Sequence, residues 1–340
     1  MKLSDFDYTL PPDRIAQTPV EPRDSSRLLV LDRSSGTLSH SIFSDISTFL
    51  NPGDLLVVNQ TRVLPARIFA RKIPTGGKIE LLLLNRREPT LWEVLVGGKR
   101  VSRGKKLSLP EGLIAEVEEV LDGSRRLLRF NRPLEGILDT IGQMPLPPYI
   151  HERLIDQERY QTVYARDSGS SAAPTAGLHF TPGLLVSLKE EDFGVAEVTL
   201  HVGLDTFTPV TEDDVTQHHI HTEWCHLPAQ TADQINQTRQ AGGKVVAVGT
   251  TSVRTLETAG ALPGFKGIIK EFRGPTDLYI LPGYSFKVVD AMITNFHLPR
   301  STLLMLVSAF AGRQTILDTY QAAIEQQYRF YSFGDAMLIL

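Results

Sequence analysis

The chain has 340 residues, 41% of them hydrophobic and 22% charged, with a formal net charge of −4, which fits a globular protein with one large core or two domains and excludes the disordered and low-complexity classes. The opening MKLSDFDYTL lacks the basic region and apolar run of a secretory signal, and the most apolar segment, TLLMLVSAFAG from Thr302 to Gly312, is too short to span a bilayer and reads as a buried helix, so a cytoplasmic protein without membrane contact is expected. One cysteine, Cys225, excludes an internal disulfide and suits a reducing compartment.

In chain order, DLLVVN at residues 54–59 predicts a buried strand. The segment that follows differs in both charge and period. Between Arg62 and Arg132 there are 16 Lys and Arg against 8 Asp and Glu, a net of +8, which leaves 19 against 31, a net of −12, for the rest. Short apolar or alternating runs (VLPARIFARK, GKIELLLL, LWEVLVGG, GLIAEVEEVL and RRLLRFNR) are separated by the turn signals PTGG, GGKRVSRGKK and LDGS. About six strands of an all-β module are predicted, and the excess positive charge suits a phosphate-rich partner. GQMPLPPYI, residues 142–150 with three prolines, supplies the return crossing.

Beyond it, helical LLVSLKEED, strand-like AEVTLHVG, helical TADQINQTRQAGG, strand KVVAVG, helical SVRTLETA and strand-like LYILP and AMITNF alternate. Interleaved strands and helices imply an α/β fold, barrel-like or with an open, mostly parallel sheet. The predicted organisation is therefore an α/β domain over 1–60 plus 149–340 with a small basic β-barrel inserted at 61–148.

Several stretches in the α/β part could carry chemistry. In SAAPTAGLHFT, residues 171–181, Pro174 bars a helix interior and the small residues predict a loop that approaches a ligand closely, with Thr175 and Gly177 in it and His179 at its end. TLHVG places His201 and Gly203 at a strand end. In KVVAVGTTSVRTLETA, the tight turn at Gly249 precedes Thr250, Thr251 and Ser252 at a helix start whose free N–H groups attract an anion, with Arg254 close behind. NFHLPRSTLL ends a strand at Asn295 and His297. YRFYSFGDAML offers Tyr331, Phe333, Gly334 and Asp335 in an aromatic turn. Strand ends with such residues suit one shared pocket. In QHHIHTEWCH, a strand would put His219, His221, Glu223 and Cys225 on one face, a possible zinc set, although their spacing matches no closed zinc pattern. No P-loop and no G-x-G-x-x-G follows any strand.

Taken together these stretches resemble the S-adenosylmethionine:tRNA ribosyltransferase-isomerases of queuosine biosynthesis. The matching segments are DFDYTLPPDRIAQTPVEPRDSSRLLVLDR, NPGDLLVVNQTRVLPARIFARK, YQTVYAR, AAPTAGLHFT, TLHVGLDTFTPV, HIHTEWCHL, VVAVGTTSVRTLET, YSFKVVDAMITNFHLPRSTLLMLVSAFAG and YRFYSFGDAML, and they cover nearly the whole chain in order. The resemblance implies an α/β-barrel-like domain with an inserted β-barrel. It also implies transfer and isomerisation of the ribosyl group of S-adenosylmethionine onto 7-aminomethyl-7-deazaguanine at the wobble position of tRNA, releasing adenine and methionine. S-adenosylmethionine is then a co-substrate; no true cofactor and no metal are implied. The partner is a tRNA with a GUN anticodon (Asp, Asn, His or Tyr), and a monomer is expected.

On that basis His179, His201 and His297 are candidates for the base that removes a C5′ proton, with His179 preferred. Tyr331 or Phe333 could stack on adenine, Asp335 could hydrogen-bond it, and Thr250 to Ser252 or Arg254 could hold the methionine carboxylate. Arg23, Asp24, Arg27, Asn59 and Arg62 match family positions and are candidate nucleotide contacts. Two departures stand out: Gln60 where the family commonly has Asp, and Ser171 where a small apolar residue is frequent. A non-catalytic tRNA-binding protein and a zinc hydrolase built on HHIHTEWCH are the competing readings.

Overall fold

In the computed structural model, which describes residues 1–203 and 210–340, the chain divides into two compact units. Met1–Arg62, Pro148–Asp167 and Ala173–Leu340 form one, Val63–Pro147 and Ser168–Ala172 the other. Residues 204–209, within the matched stretch TLHVGLDTFTPV, lie outside the described residues.

In chain order the strands are β1 (Arg27–Asp32), β2 (Thr37–Ile42), β3 (Leu55–Asn59), β4 (Thr61–Val63), β5 (Arg67–Lys72), β6 (Lys78–Arg86), β7 (Leu91–Gly97), β8 (Lys106–Ser108), β9 (Ile114–Val120), β10 (Arg125–Phe130), β11 (Gly142–Gln143), β12 (Asp167–Ser170), β13 (Gly194–His201), β14 (Glu223–Leu227), β15 (Val245–Val248), β16 (Phe272–Thr276), β17 (Ala291–Asn295) and β18 (Ala336–Ile339). The helices are α1 (Leu138–Ile141), α2 (Pro182–Glu190), α3 (Ala229–Gln240), α4 (Thr250–Gly260), α5 (Thr302–Ala311) and α6 (Arg313–Glu325).

The first unit is built on a nine-stranded sheet in the order β16-β14-β13-β3-β15-β17-β18-β1-β2. β13, β3, β15 and β17 run parallel, as the interleaving predicts, and β1 pairs parallel with β18. The pairs β13–β14, β14–β16, β17–β18 and β1–β2 are antiparallel. The sheet is thus open and mixed, parallel across its centre and again between β18 and β1.

Both faces of that centre are covered, which is why β3 and β15 read as unbroken apolar runs. Leu55, Val57, Val245, Ala247 and Met292 enter one core with Val253 and Leu256 of α4 and Leu304 and Met305 of α5. Their alternates Leu56, Val58, Val246, Val248 and Ile293 enter the opposite core with Phe180 and with Leu184 and Leu188 of α2. Each large side chain so buried contributes about 1.5–3 kcal/mol.

The strand-like LYILP segment forms no strand; β16, at the sheet edge, uses FRGPT instead. Pro275 lacks an N–H, and a proline is tolerated in an edge strand that need not donate on its outer side.

In the second unit β5, β6, β7, β10, β9 and β8 pair antiparallel in succession and β8 returns to β5, closing a six-stranded ring to which β11 adds. Closure removes exposed strand edges. Alternate residues, among them Ile68, Leu81, Val94, Leu107, Val117 and Leu128, fill the interior. The expected inserted β-barrel is present.

Candidate active site

A cleft lies at the carboxyl ends of β15 and β17, with about 550 Å³ between its walls once space open to solvent is included; this is the place where open α/β sheets bind ligands. Pro174, Thr175 and Ala176 line one part, Gly249, Thr250 and Thr251 another, and Thr294, Asn295, Phe296 and His297 a third; Tyr149, Tyr331 and Ser332 complete the polar wall. No charged side chain lines it among the described residues.

The local sequence explains these placements. Residues Thr175–His179 form one 3₁₀ turn after Pro174 rather than an irregular loop, and Thr181 caps α2 by accepting from the Leu184 N–H at 3.1 Å, with Pro182 in the first turn. Gly249, at φ +86°, turns the chain from β15 into α4 in a conformation that side-chain-bearing residues rarely adopt. Gly177 has a different reason from the one the sequence suggests. A Cβ there would lie 2.0 Å from the Tyr164 hydroxyl, so the packing of Tyr164 requires the glycine, and Gly177 does not line the cleft. Tyr331 holds φ +70°, an uncommon conformation for a bulky residue and one that concentrates at functional sites.

The three candidate histidines occupy different environments. His297 lines the cleft; its Nε2 is 2.8 Å from Thr294 Oγ1, its backbone N–H donates to Tyr320 Oη at 3.0 Å and its carbonyl accepts from the Tyr8 hydroxyl. Burial pushes its pKa down to about 3, so it is neutral at pH 7.

His179 is buried behind the wall. The Tyr331 carbonyl, which can only accept, fixes the Asn295 Nδ2 as the atom facing it at 3.2 Å, and the same Nδ2 reaches His179 Nε2 at 3.2 Å. His179 Nε2 is therefore an acceptor, and Nδ1 carries the hydrogen and donates to Ser26 Oγ at 2.7 Å. Asn295 Oδ1 accepts from Thr175 Oγ1 at 2.9 Å. Burial first, then the charges of Arg329 and Arg23, lowers the His179 pKa to about 3.

His201 is outside the cleft, stacked on Trp224 with centroids 5.4 Å apart, with its Nδ1 2.8 Å from Thr61 Oγ1; burial lowers its pKa.

Of the other sequence candidates, Thr175, Thr250, Thr251, Asn295 and Tyr331 line the cleft, and the Thr251 Oγ1 is buried without a partner. Ser252 instead donates to the Val248 carbonyl at 2.8 Å. Arg254 is buried in an ion pair with Glu223, whose other oxygen accepts from the Gly203 N–H at 2.7 Å. Asp335 accepts from the backbone N–H groups of Arg27 at 3.0 Å and Arg329 at 2.7 Å, Gly334 donates to the Tyr331 carbonyl, and burial raises the Asp335 pKa.

The nucleotide candidates also have partners within the fold. Arg23 donates to the carbonyls of Gln161 and Glu158, Asp24 accepts from Thr181 Oγ1, Arg27 lies 3.7 Å over the Tyr328 ring, Arg62 pairs with Glu158, and buried Asn59 ties β3 to β13 through Leu200. The Glu223 strand begins only at that residue, so His219 and His221 precede it and share no strand face with Cys225. Burial pushes the Cys225 thiol up to about 11, and no group of three or more His, Cys, Asp or Glu able to hold a metal occurs among the described residues.

Sequence reasoning missed Tyr149 and Ser332, joined by a 2.7 Å hydrogen bond, and Thr294. Tyr149 sits in the proline-rich return segment, and its aromatic ring there, 4.8 Å from that of Tyr331, was the available signal.

A family model described as "Queuosine biosynthesis protein" matches residues 3–339. The chain belongs to this family. It is 53% identical to the S-adenosylmethionine:tRNA ribosyltransferase-isomerase of Desulfitobacterium hafniense and 54% identical to the protein of that name from Moorella thermoacetica, each over the full length of both chains. The crystal structure of an S-adenosylmethionine tRNA ribosyltransferase from Thermotoga maritima matches 99% of this chain and 100% of its own at 41% identity, with a TM-score of 0.58. Four of the family-like stretches, AAPTAGLHFT, VVAVGTTSVRTLET, the NFHLPR end of the longest one and YRFYSFGDAML, contribute walls to the one cleft.

Proposed function

We propose that this protein is an S-adenosylmethionine:tRNA ribosyltransferase-isomerase of queuosine biosynthesis, a transferase that uses S-adenosylmethionine as co-substrate in the cleft. The reading is supported above all by the convergence of four family-like stretches on that cleft. The tRNA substrate is one with a GUN anticodon carrying 7-aminomethyl-7-deazaguanine, and the enzyme acts as a cytoplasmic monomer.

Among the described residues the wall carries no charged side chain, so no cation there repels the sulfonium ion. His297 is the base in this reading. Its low pKa reflects the cost of creating a positive charge in a buried place. S-adenosylmethionine already brings a positive charge there, so moving a C5′ proton to the imidazole leaves the total charge of the cleft unchanged. The ylide so formed rearranges with loss of adenine from C1′; adenine leaves with the bond's electron pair and needs one proton, which the imidazolium holds. The aminomethyl nitrogen then bonds to the ribosyl carbon skeleton and gives up one proton, and methionine departs with the electron pair of the C5′–S bond.

His179 is a positioning residue. As a neutral acceptor it holds the Asn295 amide so that both amide hydrogens are engaged and Oδ1 is left with one free lone pair beside Thr175. That edge fits the exocyclic amine of adenine. Tyr331 and Tyr149 offer ring faces, and the first turn of α4 at Thr250 and Thr251 suits the methionine carboxylate.

The test is adenine and methionine release from S-adenosylmethionine, with and without tRNA carrying the aminomethyl base. Release that depends on the modified tRNA is expected. If the folded protein binds tRNA and releases neither product, it is a non-catalytic tRNA-binding protein and the proposal is wrong.

A further inference from the structure

The two ends of the barrel differ in a way that the sequence does not reveal. Strand register puts the β5–β6 turn, the β7–β8 connection and the β9–β10 turn at one end: Arg71 pairs with Lys78 and with Ser108, Glu80 with Gly97, Lys106 with Glu116 and Arg125 with Leu95. Lys72 Nζ donates to the Lys99 carbonyl and the Ile73 N–H to that of Lys106 at 2.9 Å, which ties these turns together. Arg71, Lys78, Lys99, Arg100 and Arg103 are exposed there and Lys105 is half-buried. None of the six forms an ion pair among the described residues, although Arg103 lies close enough to Glu118 to help hold its carboxyl down, while the neighbouring Glu80, Glu116, Glu118 and Asp122 pair with Arg67, Lys106, Arg129 and Arg125, leaving Glu119.

At the opposite end three arginines are neutralised, Arg86 by Glu135, Arg87 by Glu93 and Arg129 by Glu88, while Arg132 donates to the Glu111 carbonyl. Exposed cations within about 8–10 Å of one another repel at physiological salt, so a group left without counter-charges, on a protein whose formal net charge is −4, favours an anionic partner. Phosphodiesters supply closely spaced charges that such a surface neutralises with counterion release.

We infer that the barrel end formed by Lys99, Arg100 and Arg103, with Arg71, Lys78 and Lys105 around them, grips the phosphate backbone of the tRNA. The inference rests on the reading of tRNA as substrate. The contact is to phosphates alone, so it supplies affinity and salt dependence without reading the anticodon.

The experiment compares the full-length protein with the triple variant Lys99→Glu, Arg100→Glu, Arg103→Glu. Binding of the tRNA substrate is measured across a salt series, together with S-adenosylmethionine binding, thermal midpoint and tRNA-dependent adenine release. The expected result is a loss of at least about tenfold in tRNA affinity near 0.1 M salt. The slope of log affinity against log salt should become shallower by about two to three, at about 0.9 per phosphate contact. S-adenosylmethionine affinity, the thermal midpoint and kcat at saturating tRNA should be retained. The neutral triple Lys99→Gln, Arg100→Gln, Arg103→Gln should move affinity and slope the same way by less, and Arg86→Glu at the ion-paired end should leave the slope unchanged. Unaltered affinity and slope in both triples, with the parent still binding and turning over tRNA, overturns the inference. A parent that binds no tRNA overturns the substrate reading instead.

Discussion

All nine histidines lie in the α/β unit and none in the barrel, while the basic segment between Arg62 and Arg132 falls almost wholly in the barrel. The α/β unit buries many polar groups and pairs several of them internally: His179 between Ser26 and Asn295, His297 on Thr294, Arg254 on Glu223. The barrel buries Glu93 between arginines but keeps most of its charges in water, and the cations without an ion pair gather largely at one end. Buried groups lose much when one partner is removed, whereas exposed charges matter through long-range attraction and little through stability. The difference teaches that substitutions in the first unit should act on chemistry and folding, and those in the second on binding of a polyanion.

The largest expected effect is on turnover. His297→Gln keeps a hydrogen-bonding side chain at the cleft but removes the base, and kcat for adenine release should fall by about 10²–10⁴, with S-adenosylmethionine affinity changed far less. His179→Gln should act through Asn295, raising KM for S-adenosylmethionine and lowering kcat less, with the shape of the kcat pH profile unaltered because the group that takes the substrate proton is kept. If His179→Gln flattens that profile and His297→Gln does not, the two roles are reversed.

The next effect separates the units by stability. Arg254→Met leaves the buried Glu223 carboxylate without its cation and should cost about 3–5 kcal/mol, read as a lower denaturant midpoint. Arg86→Ala breaks the exposed Arg86–Glu135 pair of the barrel and should cost less than about 1 kcal/mol. Equal costs would remove the contrast on which the comparison stands.

Acid should sharpen the same contrast. His179 and His297 have folded pKa values of about 3 against an ordinary value of 6.5. Above pH 6.5 both are neutral, folded or unfolded, and stability does not depend on them. As pH falls below 6.5 the unfolded chain takes up a proton at each that the folded chain refuses, so stability declines by about 1.4 kcal/mol per pH unit for each histidine until pH approaches 3. Urea midpoints of the protein without substrate should therefore drop between pH 7 and pH 5, and His179→Gln should make that decline shallower by the share of one histidine.

The parts of the fold that were legible in the sequence are those whose signal is local. β3 and β15 are buried on both faces and read as apolar runs; β5 and β9 alternate because one face fills the barrel. β16 was hidden because Gly274 and Pro275 read as breakers, and β2, TLSHSI, because its exposed pattern has no apolar period. In the site, His297 and Asn295 stood out at a strand end. The role of His179 did not, because it depends on Ser26 at 153 residues' separation and on an amide orientation fixed by a backbone carbonyl. Arg254 looked available for a carboxylate only because its ion-pair partner, Glu223, is 31 residues away. Long-range pairing of polar groups leaves no period for a sequence to display.

A comparably small effect concerns Gln60, where the sequence resemblance leads one to expect Asp. Its Oε1 accepts from both Arg166 Nε at 3.2 Å and an Arg166 terminal nitrogen at 2.6 Å, as a carboxylate would, but its Nε2 donates to Asp167 Oδ2 at 3.1 Å and to Thr199 Oγ1 at 3.2 Å. Asp167 thus supplies a carboxylate next to the position that lacks one, and the amide nitrogen bridges the two. Gln60→Asp keeps the arginine contact, loses both donated bonds and sets two carboxylates side by side, so a destabilisation of about 1 kcal/mol is expected. Adding Asp167→Asn restores a donor between the two positions and should recover most of it. A double-mutant cycle measured by urea unfolding checks this: a coupling near zero would mean that Arg166 alone accommodates either residue and that Asp167 plays no part in the departure from the family pattern.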